Sequence, residues 1–137
     1  QVAAIGFSFA LGPTTVIFGK HIDKLSFDRE KGMRTLPVRL GDRRARHWVQ
    51  GMLLAQYLTT ALLVAAGWLP WPVLLVLLAL PRFLRSWQAF SAPAPDAPPE
   101  SFPASAWPLW FSAYAFDHTR WFGILFLAGY CLALLID

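Results

Sequence analysis

Lys20-His21-Ile22-Asp23-Lys24-Leu25-Ser26-Phe27-Asp28-Arg29-Glu30-Lys31-Gly32-Met33-Arg34-Thr35-Leu36-Pro37 decides how the rest of the chain is folded. It holds three of the eight carboxylates, and nine of the twelve Lys and Arg fall between Lys20 and Arg46. On both sides the sequence turns apolar over membrane-crossing lengths. Lipid cannot solvate so many ions, so a charged island between such runs belongs at a water interface. It is also the one place where acids and bases lie close enough together to build a site for a polyanion and a metal.

The composition agrees with a membrane setting. The 137 residues are 56% hydrophobic and only 15% charged, against about 25% charged in soluble domains. The net charge of +4 does not indicate nucleic acid, because the cations are gathered in one segment in the manner of a cytoplasmic, positive-inside loop. The first residue is Gln, and the first apolar run has no polar lead-in. A chain whose start is missing is therefore expected. No charged n-region precedes an apolar core, so a secretory signal is not expected. Cys131 has no Cys or His at ligand spacing and reads as a small apolar packing residue.

Four spans follow from the pattern. Residues 2–18 form the first, and Gly12-Pro13 should kink or locally unwind it, with Thr14 and Thr15 placed to satisfy freed carbonyls. Residues 19–45 form the charged motif loop. Within it Gly32 suits a helix C-terminus, Pro37 stops any continuation, and Asp42 reads as the N-cap of the next helix. Cations are unfavourable at a helix N-terminus, so Arg43, Arg44 and Arg46 imply anionic headgroups or an anionic ligand, with His47 as a headgroup contact. Residues 48–66 form the second span, in which Gln56 and Thr60 share an inward face. Gly67 to Pro72 is a tight turn with two interfacial Trp. Residues 73–90 form the third span, interrupted by Pro81; Arg82 and Arg85 near its end read as snorkelling anchors or as phosphate contacts. Residues 91–106 are a Pro-rich extended linker. Residues 121–136 form the fourth span. The aromatic part Trp107 to Phe116 leads into it through a polar break, Asp117-His118-Thr119-Arg120, where Asp117 and His118 read as interfacial helix-start residues. The loop, the Arg82/Arg85 end and Arg120 all fall on one side, expected to be cytoplasmic. The fold class is all-α, a multi-pass transmembrane helical bundle.

Paired carboxylates near a membrane surface suit Mg²⁺, which takes oxygen ligands and bridges to phosphate. Lys and Arg close by neutralise the remaining charge. Asp23 and Asp28, with Lys20, Lys24, Arg29 and Arg34, supply both kinds of group, although a solvated loop has the same composition.

The run Asp28-Arg29-x-x-Gly32-x-Arg34-Thr35-Leu36-Pro37-Val38-x-Leu40-Gly41, preceded by Lys20 and Asp23, resembles the second aspartate-rich motif of the UbiA superfamily of intramembrane prenyltransferases, its menaquinone-type branch most of all. The preceding apolar helix and the three following spans resemble the family's C-terminal half. The resemblance implies four spans of a nine-helix prenyltransferase fold. Its expected activity is transfer of a prenyl group from a prenyl diphosphate to an aromatic, quinone-precursor acceptor, assisted by Mg²⁺. It implies Asp28 and Asp23 as catalytic, Mg²⁺-holding carboxylates, with Lys20, Lys24 and Arg34 on the diphosphate. The first aspartate-rich motif is absent from the sequence, so a missing N-terminal half is the implied partner and the chain alone is expected to be inactive.

The spacing departs from the family's D-x-x-x-D. Asp23 and Asp28 are five apart, which in a regular helix leaves their side chains about 140° apart. They converge only if the helix breaks or bulges between them. Two rival readings are a non-catalytic membrane scaffold or transporter fragment, and a surface module for anionic lipid. Both need the cations and are indifferent to Asp28.

Overall fold

The apolar runs of the sequence are long and poor in charge, and each lies in a helical segment long enough to cross a membrane. The computed structural model of the chain describes residues 1–136. Helix α1 is Val2–Asp23, α2 Leu25–Glu30, α3 Leu36–Leu40 and α4 Asp42–Ala65. A 3₁₀ segment, Trp71–Ala79, runs directly into α5, Leu80–Ser91, and α6 is Trp110–Ile136. Four helices, counting Trp71–Ser91 as one, are long and apolar enough to cross a membrane.

Pro13 does not unwind α1, which runs through it unbroken. Two hydroxyls support the backbone there: Thr14 donates to the Ala10 carbonyl at 2.8 Å and Thr15 to that of Gly12 at 2.6 Å. The expected loop 19–45 is largely helical. It comprises the last turn of α1, then α2, then α3. Gly32 follows α2 with φ +67°, a left-handed conformation that glycine adopts without a Cβ clash. Pro37 starts a helix rather than stopping one, because the first turn of α3 needs no N–H from it. Gly41, not Asp42, is the N-cap of α4; the Asp42 side chain instead accepts from Arg46, one turn on.

The third span changes helix type where Pro81 lies. Pro81, which has no N–H to give to the ladder, falls in the first turn of α5, at that junction. At the rises of the two helix types the span is about 36 Å long, enough for ~30 Å of hydrocarbon.

The helices form an up-down-up-down bundle. At one end the Asp23 carboxylate meets the start of α6 and Arg46 donates to the Phe90 carbonyl near the end of α5. At the other end Ser8 and Thr60 share a hydrogen bond of 2.7 Å. Two glycines permit the closest approaches. A Cβ on Gly19 would stand 2.9 Å from the backbone nitrogen of Ser112, and one on Gly129 would collide with the Pro72 carbonyl. The polarity is inverted relative to a soluble protein. Ser8, Thr15, Gln56, Thr60 and His118 are buried, whereas Leu62 is 67% and Leu134 69% exposed. Small and polar residues at helix contacts with Leu outside is the arrangement of helices solvated by lipid. Cys131 lies on the outer surface of α6 rather than in packing.

The polar tetrad 117–120 is not a break. It lies inside α6, and its first three members each meet another helix. Asp117 pairs with Arg82 at 2.6 Å, His118 Nε2 meets the Tyr57 hydroxyl at 3.0 Å, and Thr119 donates to the Gly12 carbonyl at 3.1 Å. The Pro-rich linker folds back onto this helix: Phe102 is buried, 5.0 Å from the Trp110 ring.

Candidate functional site

The backbone does break between Asp23 and Asp28. Lys24 adopts φ −108° and ψ 17°, which ends α1 and lets α2 set off in a new direction. The break does not bring the two carboxylates to one task. Asp23 accepts from the backbone N–H of Phe111 through Oδ1 and from that of Ser112 through Oδ2, each at 2.9 Å. These are first-turn donors of α6 with no partner inside their own helix, and a carboxylate there also faces the positive end of the helix dipole. Asp23 is thus a cap supplied by a different helix.

Asp28 lies inward, with its side chain only 5% exposed. His21 Nδ1 lies 3.0 Å from its Oδ2. A carboxylate only accepts, so Nδ1 carries the proton and the imidazole fixes the carboxylate's orientation. Oδ1 has no hydrogen-bond partner among the described residues. The Asp28 carbonyl accepts from Met33 N–H at 2.8 Å, closing the turn that carries Gly32, with Arg34 just beyond it. Lys20, Lys24 and Arg34 are exposed, and none is in an ion pair among the described residues. Lys20 shares the last turn of α1 with His21.

Two other cations stand differently from expectation. Arg46 is buried, bonded to Asp42 through Nε at 3.0 Å and to the Phe90 carbonyl at 3.0 Å. It therefore needs no headgroup. Arg82 is committed to Asp117 and stacks 5.2 Å from the Trp121 ring, so it neither snorkels nor meets phosphate. Arg85 alone of that pair is free, lining a cleft of about 520 Å³ with Phe102 and Tyr114. Sequence reasoning missed the Asp42–Arg46 pair, although its i,i+4 spacing was visible. It also missed the Arg82–Asp117 pair, although opposite charges inside two spans call for each other.

Among the described residues no three His, Cys, Asp or Glu side chains group closely enough to hold a metal ion. Mg²⁺ at phosphate sites needs only one or two protein carboxylates beside the phosphates and water. The open Oδ1 of Asp28 fits that requirement. Asp23 accepts one backbone bond on each oxygen, so neither of its oxygens is unshared as Asp28 Oδ1 is.

The profile of the UbiA prenyltransferase family matches residues 1–110. The chain belongs to the UbiA prenyltransferase family. A digeranylgeranylglyceryl phosphate synthase of Natronomonas pharaonis is 30% identical over 98 residues, which is 68% of this chain and 35% of the relative. The chain therefore spans about a third of the length of that relative. No solved structure matches it. Four membrane-length helices and membership of this family make it an integral membrane protein.

Proposed function

We propose that the chain carries one half of a prenyl diphosphate site, in an enzyme that transfers the prenyl group to an aromatic, quinone-precursor acceptor with the help of Mg²⁺. One observation carries the reading. The inward Asp28, oriented by His21, lies within the aspartate-rich run, and three exposed cations of that run have no ion-pair partner among the described residues. Asp28 Oδ1 would hold the Mg²⁺, which when bound supplies positive charge against the departing diphosphate. Lys20, Lys24 and Arg34 would neutralise its remaining oxygens. His21 keeps the carboxylate in place. Asp23 holds α6 against α1 through Phe111 and Ser112, and a ligand role for it would share oxygens already used in that contact. The motif end then faces the cytoplasm, as the excess of Lys and Arg there favours. The rest of the enzyme would supply the first aspartate-rich motif.

A second acceptor class follows from the relative's name: its named product carries two prenyl chains on a glyceryl phosphate, so the acceptor would be a glyceryl phosphate with one chain fewer. Full-length protein, wild type and Asp28→Ala, incubated with labelled prenyl diphosphate and either acceptor across a Mg²⁺ titration, tests both. Mg²⁺-dependent transfer in the wild type, lost in the variant, is expected, and the preferred acceptor names the class. Unchanged transfer in Asp28→Ala removes Asp28 from the site. No transfer to either acceptor by the wild type favours a non-catalytic membrane scaffold.

A further inference from the structure

Arg85 lines a cleft between α5, the Pro-rich linker and the first turns of α6. Phe102 of the linker and Tyr114 of α6 give it aromatic walls, and Asp117 lines it too. The stacking of Phe102 on Trp110 and Tyr114 holds the linker over this end of the bundle. A second cleft, of about 350 Å³, shares Arg85 and Tyr114 with the first and adds Gln88 and Trp110. The two meet at Arg85.

Charge is out of balance here. Three arginines, Arg82, Arg85 and Arg120, gather near one carboxylate. Asp117 takes Arg82 at 2.6 Å and Arg120 at 3.6 Å, and Arg85 has no ion-pair partner among the described residues. The indole Nε1 of Trp110 is buried and also has no partner among them. Both unmet groups are donors, so their complement is an acceptor that carries negative charge. A phosphate group meets that description, and a guanidinium grips it through two parallel hydrogen bonds.

Depth selects the source of that phosphate. The 27 residues of α6 span about 40 Å, ~10 Å more than the hydrocarbon of a bilayer. The charged residues of α6, Asp117 and Arg120, both lie in its first half, so the excess length emerges at that end. Ser86 donates to the Tyr114 carbonyl at 2.8 Å, and with the Arg82–Asp117 pair this brings Arg85 to the same level, the boundary of headgroups and hydrocarbon. Further along α6, Arg120, Ile124 and Leu127 continue the helix face of Asp117 and are exposed, a surface for an acyl chain. We propose that this cleft seats the phosphate of an anionic phospholipid of the surrounding bilayer, held by Arg85 and Trp110. The site is independent of the prenyl diphosphate reading, since its lining residues come from α5, the linker and α6 and none from the motif.

The test is native mass spectrometry of full-length protein in detergent, titrated with dioleoyl phosphatidylglycerol, with dioleoyl phosphatidylcholine and inorganic phosphate as separate arms. One phosphatidylglycerol should bind more tightly than any phosphatidylcholine, and inorganic phosphate at the same concentration should not displace it. Arg85→Gln should weaken that first binding by about tenfold or more, the effect of losing a hydrogen bond between charged groups. Arg85→Lys, which keeps the charge, should recover part of it. Lys31→Gln, which removes one exposed charge elsewhere, should leave it unchanged. Ala113→Leu keeps every charge and narrows the cleft that Ala113 lines, so it should also weaken binding; if Arg85→Gln misfolds, this variant decides alone. Unaltered binding in a folded Arg85→Gln or Ala113→Leu, or no preference for phosphatidylglycerol in the wild type, overturns the site. An equal loss in Lys31→Gln overturns it as well, leaving only the diffuse attraction of basic residues to an anionic surface. Displacement by inorganic phosphate overturns the lipid as its occupant. None of these measurements involves transfer, so they leave the proposed function untouched.

Discussion

Asp23 and Asp28 lie on either side of one backbone break and have opposite surroundings. Asp23 gives both oxygens to the first turn of α6. Asp28 gives one oxygen to a histidine and keeps the other open. The first arrangement joins two helices far apart in sequence. The second leaves a carboxylate oxygen available, as the proposed function requires. Identical side chains five residues apart thus have different surroundings, and the backbone break at Lys24 lies between them.

The largest effect that would sharpen this contrast is on transfer by full-length enzyme. Asp28→Asn should lower kcat by about 100-fold or more, as loss of a group acting on developing charge does, with thermal unfolding unchanged. A normal rate would break the contrast on its chemical side. Next comes Gly19→Leu, which drives a side chain into the Ser112 backbone and displaces the donors that Asp23 holds. It should cost about 1–3 kcal/mol or prevent folding, read as a lowered unfolding temperature in detergent. Asp23→Ala leaves first-turn donors unpaired and should cost about 1–3 kcal/mol, and Asp23→Asn, which keeps one acceptor oxygen, should recover part of it. The smallest effect belongs to the exposed cations. Lys20→Gln and Lys24→Gln should each raise KM for the prenyl diphosphate by about fivefold at most, the range of an exposed charge pair, with stability unaltered.

The layout of the bundle was legible because it depends on quantities summed along the chain. Run length and charge density are enough to place four membrane-length helices, and Gln56 and Thr60 fell on the inward face as their spacing implied. What was not legible depends on partners far away. Asp117 to Arg120 reads as a polar break until Arg82, Tyr57 and Gly12 are brought alongside, the nearest of them 35 residues away. Asp23 reads as half of a metal pair until Phe111, 88 residues on, presents its N–H. The site itself was half legible. The motif drew attention to Asp28 and its cations, whereas the His21 contact, between residues seven apart and so on one side of the chain across the break at Lys24, was not read from the spacing.

The most direct test of the division between the two carboxylates is a paired measurement of folded fraction and Mg²⁺-dependent transfer in full-length Asp23→Asn and Asp28→Asn. The account predicts that Asp28→Asn is fully folded and without transfer, while Asp23→Asn is less stable but its folded fraction transfers at close to the wild-type rate. A fully folded Asp23→Asn without activity, beside an active Asp28→Asn, would contradict it.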